Sequence, residues 1–110
     1  MATTGPGFPP RDQKVKILVD SNGDLLSVSP DTFEISKKLH QNVLWVTEPA
    51  GADFTVDFGV EKTPFQYPDF TKDNPYSGEV KRKVPGDGKY YKYTVTAGAK
   101  SIDPGGHVNP

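Results

Sequence analysis

The chain has 110 residues and contains no cysteine. Disulfides, thiolate nucleophiles and zinc sites built on sulfur are therefore excluded. An excess of positive charge is also lacking, because 13 basic and 14 acidic residues give a formal net charge of -1. Proteins that bind phosphate backbones usually carry a basic footprint, so this balance argues against a nucleic-acid partner.

Long apolar runs are missing as well. No stretch of the sequence approaches the roughly 20 apolar residues that a membrane-spanning helix needs. The first 13 residues contain no apolar segment of the kind found in signal peptides. We therefore expect no membrane-spanning segment and a cytoplasmic location.

Glycine and proline, by contrast, are abundant, with 11 residues of each. This composition favours short strands joined by tight turns over long helices, and the length suits a single domain with one core. Residues 1–13 are rich in Gly, Pro and Thr, and we predict that they form a flexible arm preceding a domain at residues 14–110. The arm is either a frayed tail or a segment whose Phe8 docks on a partner.

Period-two alternation of apolar residues predicts the strands. It is clearest where Val15, Ile17 and Val19 share one face while Lys14, Lys16 and Asp20 lie mostly on the other. Asn22-Gly23 then forms the strongest short signal for a hairpin. Further segments that we predict as strands are 25–29, 32–37, 43–46, 53–60, 79–84 and 90–96, with a possible edge at 100–103. Seven or eight short strands at this spacing indicate an all-β sandwich or barrel. The predicted core comprises Val15, Ile17, Phe33, Ile35, Trp45, Phe54, Val56, Phe58, Tyr91, Tyr93 and Val95.

Three short segments resemble one known family. They are SPDTFEI at residues 29–35, NVLWV at 42–46 and GKYYKYTV at 88–95. In this order they resemble the strands of cupredoxin-like domains. The resemblance implies a single Greek-key β-sandwich of 7–8 strands, with antiparallel or mixed sheets.

The resemblance does not extend to the metal ligands. A type 1 copper site needs two imidazoles and a thiolate, often with an axial methionine. The position that matches the family's cysteine holds Val95, the region of its first histidine reads Asp53-Phe54, and the only methionine is Met1. We therefore predict a cupredoxin-like protein that holds no metal and no other cofactor.

Catalytic patterns are equally hard to find. His40 and His107 are the only histidines, and no third ligand accompanies them at a recognisable spacing. Asp53 and Asp57 would lie about 13 Å apart along a strand, farther than the carboxyl groups of glycosidases, which are separated by up to about 9.5 Å. The sequence also lacks a nucleophile elbow and a phosphate-binding glycine loop. We assign no catalytic residue and expect the protein not to be an enzyme.

A short basic run, Lys81-Arg82-Lys83, lies within one predicted strand. In a strand, Lys81 and Lys83 would share a face while Arg82 would point with the apolar residues. A buried guanidinium would then need a carboxylate partner. A run of three basic residues is too short to predict a nucleic-acid binding site.

The segment at residues 63–76, here called the aromatic-proline loop, is the most distinctive part of the chain. It holds four aromatic residues and three prolines between two predicted strands. Long ordered loops in compact domains often carry binding function. We predict partner-binding residues at Phe65, Tyr67, Phe70 and Tyr76, together with Phe8 of the arm. The alternative is that Phe65 and Phe70 plug the open end of the sandwich.

These observations favour a non-catalytic protein-interaction module, such as a small accessory subunit of a larger assembly, whose partner is another protein. Two alternatives remain open. The family resemblance would suit a copper-handling or electron-transfer protein, and exposed tyrosines would suit a binder of small molecules or carbohydrates.

Overall fold

A computed structural model describes residues 12–110, and these residues are all β with no helix. Within this range, accordingly, no helix is long and apolar enough to cross a membrane. The ten strands are β1 (Asp12–Val19), β2 (Leu25–Ser29), β3 (Thr32–Ser36), β4 (Asn42–Glu48), β5 (Thr55–Asp57), β6 (Asp69–Thr71), β7 (Lys89–Lys92), β8 (Thr94–Ala97), β9 (Lys100–Ile102) and β10 (Gly105–Asn109). β1 begins two residues before the predicted start of the domain, so Asp12 and Gln13 belong to a strand and not to the arm.

The strands form three sheets, with the orders β2-β1-β4, β3-β10-β7 and β6-β5-β8-β9. β1 pairs with β4 and β3 pairs with β10 in parallel, whereas the other pairs are antiparallel. The arrangement is mixed and is not a closed barrel. It is compatible with a small β-sandwich, with more strands than the seven or eight predicted.

The hairpin between β1 and β2 has the turn that the sequence predicts. Asp20 Oδ1 accepts hydrogen bonds from the amides of Asn22 and Asp24, at 2.8 and 3.0 Å. Gly23 adopts a φ of 82°, a conformation that glycine reaches without a steric cost. Local turn chemistry therefore sets the register in which Ile17 pairs with Val28.

The core matches the predicted residues closely. Ten of the eleven predicted core residues are buried, and Tyr91 is half-buried and packs against them. At the centre, Trp45 stacks on Phe70 with ring centroids 5.0 Å apart, while Phe58 stacks on Tyr93 at 4.7 Å. Offset and edge-on ring contacts of this kind add to the stabilisation that burial provides.

Three predicted strands differ in the structure, and one of them, predicted at 53–60, is a strand only over Thr55–Asp57. Residues 79–84 make a single bridge, between Val80 and Phe65, and then turn, with the Val84 amide donating to the Lys81 carbonyl at 3.1 Å. The segment predicted at 90–96 is two strands, β7 and β8, that belong to different sheets. They separate at Tyr93, whose amide donates to the Pro104 carbonyl at 2.9 Å. Alternation alone cannot reveal such a change of sheet, because the side chains keep their inward and outward order across it.

Candidate functional site

The aromatic-proline loop is anchored by two of its own rings. Phe65 and Phe70 are 0% and 1% exposed and meet edge to face at 6.1 Å. Phe70 lies flat against Trp45, and Phe65 meets Phe58 edge-on at 5.5 Å. The loop is therefore part of the core and not a flap above it.

The backbone of the segment that follows also closes one side of a sheet. β4 is the last strand of its sheet, yet the Trp45 amide donates to the Pro75 carbonyl at 3.0 Å. The Ser77 amide donates to the Val43 carbonyl, and the Val43 amide donates to Ser77 Oγ, both at 2.8 Å. Residues 75–77 thus satisfy polar groups that would otherwise lie open at the edge of β4.

Two tyrosines face outward from this anchored loop. Tyr67 is 60% exposed, and its carbonyl accepts a hydrogen bond from Thr63 Oγ1 at 2.8 Å. Tyr76 is 42% exposed, and its backbone bridges to Leu44 of β4. The main chain at both tyrosines is therefore held in place while a large part of each ring meets solvent.

The five predicted partner-binding residues thus separate into three groups. Phe65 and Phe70 have no accessible surface to offer, as in the alternative in which they plug the fold, so their assignment to a contact surface is corrected. Tyr67 and Tyr76 are accessible, and their role in binding stays a prediction. Phe8 lies outside the described residues.

A groove that the sequence did not reveal lies between three separate segments. It has a volume of about 880 Å³. It is lined by five lysines, by one acidic residue, Glu61, and by Tyr90 and Tyr91. The lining lysines are Lys62, Lys81, Lys83, Lys89 and Lys92. We call this the lysine groove. Because its residues come from 60–63, 81–85 and β7, no local pattern in the sequence could have identified it.

Arg82 points away from the lysine groove. It is exposed, and it lines a smaller cleft together with His40 and Glu79. The prediction that it lies on the apolar side of a strand is wrong, because residues 82 and 83 form a turn. Lys37 holds this turn, since its Nζ donates to the carbonyls of Arg82 and Val84.

The two histidines occupy different places. His40 has a φ of 56° at the end of a turn and its Nδ1 lies 3.2 Å from Glu79 Oε1. His107 lies on β10, where Nδ1 is 2.8 Å from the Gly88 carbonyl oxygen and the ring packs on Tyr90. Within residues 12–110, no group of three or more potential His, Cys, Asp or Glu ligands is close enough to hold a metal ion.

The positions that the family resemblance singles out have ordinary structural environments. Val95 is fully buried in the core, and Phe54 is buried in the same hydrophobic cluster. Asp53 forms an ion pair with Lys72 at 3.1 Å, while Asp57 Oδ1 accepts the Gly59 amide at 2.9 Å. The two carboxylates are thus engaged separately.

Two tyrosines have altered acidity. Burial raises the pKa of Tyr93 to about 12, the Trp45 Nε1 donor at 3.4 Å opposes that shift, and Tyr90 adds to it. The pKa of Tyr91 is raised by partial burial and, to a smaller extent, by the charge of Asp87. A tyrosine is already protonated at neutral pH, so these upward shifts change the protonation of the two phenols only in alkaline solution.

Comparisons of the chain with protein-family models, with curated proteins and with solved structures find no match.

Proposed function

We propose that the protein is a non-catalytic interaction module that binds another protein through Tyr67 and Tyr76, as a small accessory subunit of a larger assembly would. One observation carries this proposal: two exposed tyrosines project from a loop whose phenylalanines are buried in the core. A surface of this kind combines accessible aromatic area with a fixed backbone.

The energetic argument concerns the cost of ordering. A tyrosine offers a large contact area with only two side-chain torsions, so little conformational entropy is lost when it is buried by a partner. The hydrogen bonds at Thr63, Val43 and Trp45 hold the loop before any partner arrives. A preorganised loop avoids the free-energy cost of ordering on association.

The test is quantitative cross-linking in host extract, with partners of the tagged protein identified by mass spectrometry. We expect Tyr67→Ala/Tyr76→Ala to lose a defined partner while its melting temperature stays within about two degrees of the wild type, as for most surface substitutions. Leu26→Ala is the matched control, because Leu26 is 55% exposed and lies on β2, outside both the loop and the lysine groove. A partner that the double variant retains at wild-type occupancy would refute the assignment of the loop.

We further infer that the three sheets make a Greek-key sandwich of the cupredoxin type. The support is that the segments that resemble the family fall on strands: residues 32–35 in β3, 42–46 in β4 and 89–92 in β7. An experimental structure tests this, and a strand order that cannot be superposed on cupredoxin domains would overturn it.

A further inference from the structure

The lysine groove lies beside an open strand edge. β7 is the last strand in the sheet β3-β10-β7, so only one of its two edges is paired with a neighbouring strand of the described chain. All four residues of β7 line the groove. Because successive side chains of a strand alternate between its faces, a groove that touches four consecutive residues runs along the edge of the strand.

The hydrogen-bond pattern indicates which backbone groups face the groove. The Tyr93 amide donates to the Pro104 carbonyl. Tyr93 and Pro104 are the next residues along the two chains after the paired Lys92 and Gly105. Antiparallel pairs alternate between hydrogen-bonded and non-bonded, so Tyr90 and Lys92 direct their amides and carbonyls away from β10. The Gly105 amide supports this, since it donates to Asp31 on the β3 side at 3.1 Å.

Both walls of the groove are fixed turns. One wall is held where the amides of Lys62 and Thr63 donate to the Gly59 carbonyl, at 3.2 and 3.1 Å. The other is held where the Lys81 amide donates to the Pro64 carbonyl at 2.8 Å. The groove therefore exists before a ligand enters it.

Charge in the groove differs from charge in the chain as a whole. Five lysines and one glutamate line it, whereas the whole chain carries a formal net charge of -1. Among the described residues, the lysines that form ion pairs are Lys16 and Lys72, and both lie outside the groove. The lysine groove is thus a local concentration of positive charge that no described carboxylate neutralises by an ion pair.

We propose that the lysine groove binds an extended, acidic segment of a partner protein, which adds as a strand to the free edge of β7. Backbone hydrogen bonds to Tyr90 and Lys92 would supply the pairing, and carboxylates on the added strand would face the lysines. This surface is separate from the tyrosines of the aromatic-proline loop and does not depend on their role.

A short peptide fits the groove better than a nucleic acid does. A four-residue strand is about 14 Å long, which matches only a few residues of an added strand. The adjoining cleft shares Glu61, Lys62 and Lys92 with the groove and adds the carboxylates of Asp57 and Asp103. A long phosphate chain leaving the groove at that end would meet these carboxylates, whereas a short acidic segment would stop before them.

The test is fluorescence anisotropy with the full chain and a labelled peptide of about eight residues, in which glutamate alternates with valine to favour an extended strand. We expect saturable binding that weakens by at least about tenfold between roughly 50 and 300 mM salt. Compared with the wild type, Lys81→Glu/Lys83→Glu should bind the peptide about tenfold more weakly. Lys14→Glu/Lys100→Glu is the matched control, because it changes net charge equally at exposed lysines outside the groove, and it should leave the affinity within about twofold.

Backbone pairing is tested by two versions of the peptide, N-methylated at odd or at even positions. Because only alternate amides of an added strand face its neighbour, one version should lose binding and the other should keep it. Equal binding of both versions would overturn strand addition. An oligothymidine that binds more tightly than the peptide would overturn the choice of partner, and a peptide that binds only after residues 1–11 are removed would assign the groove to the chain's own arm.

Discussion

Alkaline unfolding offers a direct test of how Tyr93 is packed. Its hydroxyl lies in the aromatic cluster next to Trp45, and burial raises the pKa of Tyr93 to about 12. In the unfolded chain the pKa of a tyrosine is about 10. At a pH below that value the phenol of Tyr93 is protonated in both the folded and the unfolded chain, so Tyr93 contributes its full stabilisation to the folded state. As the pH rises further, the unfolded chain releases the proton first, and this contribution is lost between pH 10 and about 12.

The magnitude follows from the difference in pKa. Each unit corresponds to about 1.4 kcal/mol, so a gap of about two units predicts a loss of roughly 2.7 kcal/mol from the free energy of unfolding. Urea unfolding measured from about pH 9 to about pH 12 gives the profile directly. Tyr93→Phe should flatten it, at a cost of about 0.5–1 kcal/mol at the lower pH from the lost hydrogen bond to Trp45.

Tyr67→Phe is the matched control, because Tyr67 is 60% exposed, lies outside the buried cluster that contains Tyr93, and its change leaves the core intact. Its alkaline profile should follow that of the wild type. If the free energy of unfolding fell equally steeply with pH in Tyr93→Phe and in the wild type, this would refute the reasoning, since the lost stability would then come from other groups.

Three further predictions concern the core and its chemistry. Trp45→Ala should lower the free energy of unfolding by about 3–5 kcal/mol. In the folded wild type, tryptophan fluorescence that iodide quenches freely would contradict the burial of Trp45. A strong chelator should leave the melting temperature unchanged, because no ligand that stabilises the native state would be withdrawn; a drop of many degrees would count against this. Gly106→Ala should destabilise the protein by about 1–3 kcal/mol, since a Cβ there would lie 2.4 Å from the buried ring of Phe33. Gly105→Ala should cost less, because the ring it meets, that of Tyr90, can move into solvent; equal costs would contradict the packing.

The elements that the sequence predicts well are those set by local chemistry. Val15, Ile17 and Val19 recur at every second position and are buried, and Asn22-Gly23 supplies the turn, so β1 and β2 follow directly. Pairing across the chain is different, because it depends on which edges remain open after distant segments have folded. Residues 79–84 alternate as a strand does, yet the structure gives them one bridge and a turn.

The candidate site shows the same division. Composition singled out the aromatic-proline loop, but it could not separate Phe65 and Phe70 in the core from Tyr67 and Tyr76 at the surface. The phenolic hydroxyl gives a partial signal, because tyrosine tolerates water at one end of the ring and phenylalanine does not. For the lysine groove the sequence offered only the short basic run at residues 81–83, because the other lysines come from segments that are distant in sequence.

The position of β10 has a consequence for how the chain folds. This strand lies in the middle of its sheet, and it joins β3 to β7, which do not touch each other in that sheet. Thr32 and Gly105 pair although most of the chain separates them. Bringing such distant residues together costs chain entropy before the stabilising contacts form, and this slows folding. During synthesis, β3 therefore lacks the one strand that pairs with it until the segment at 105–109 is made, and in that interval both of its edges are exposed to pairing with other chains.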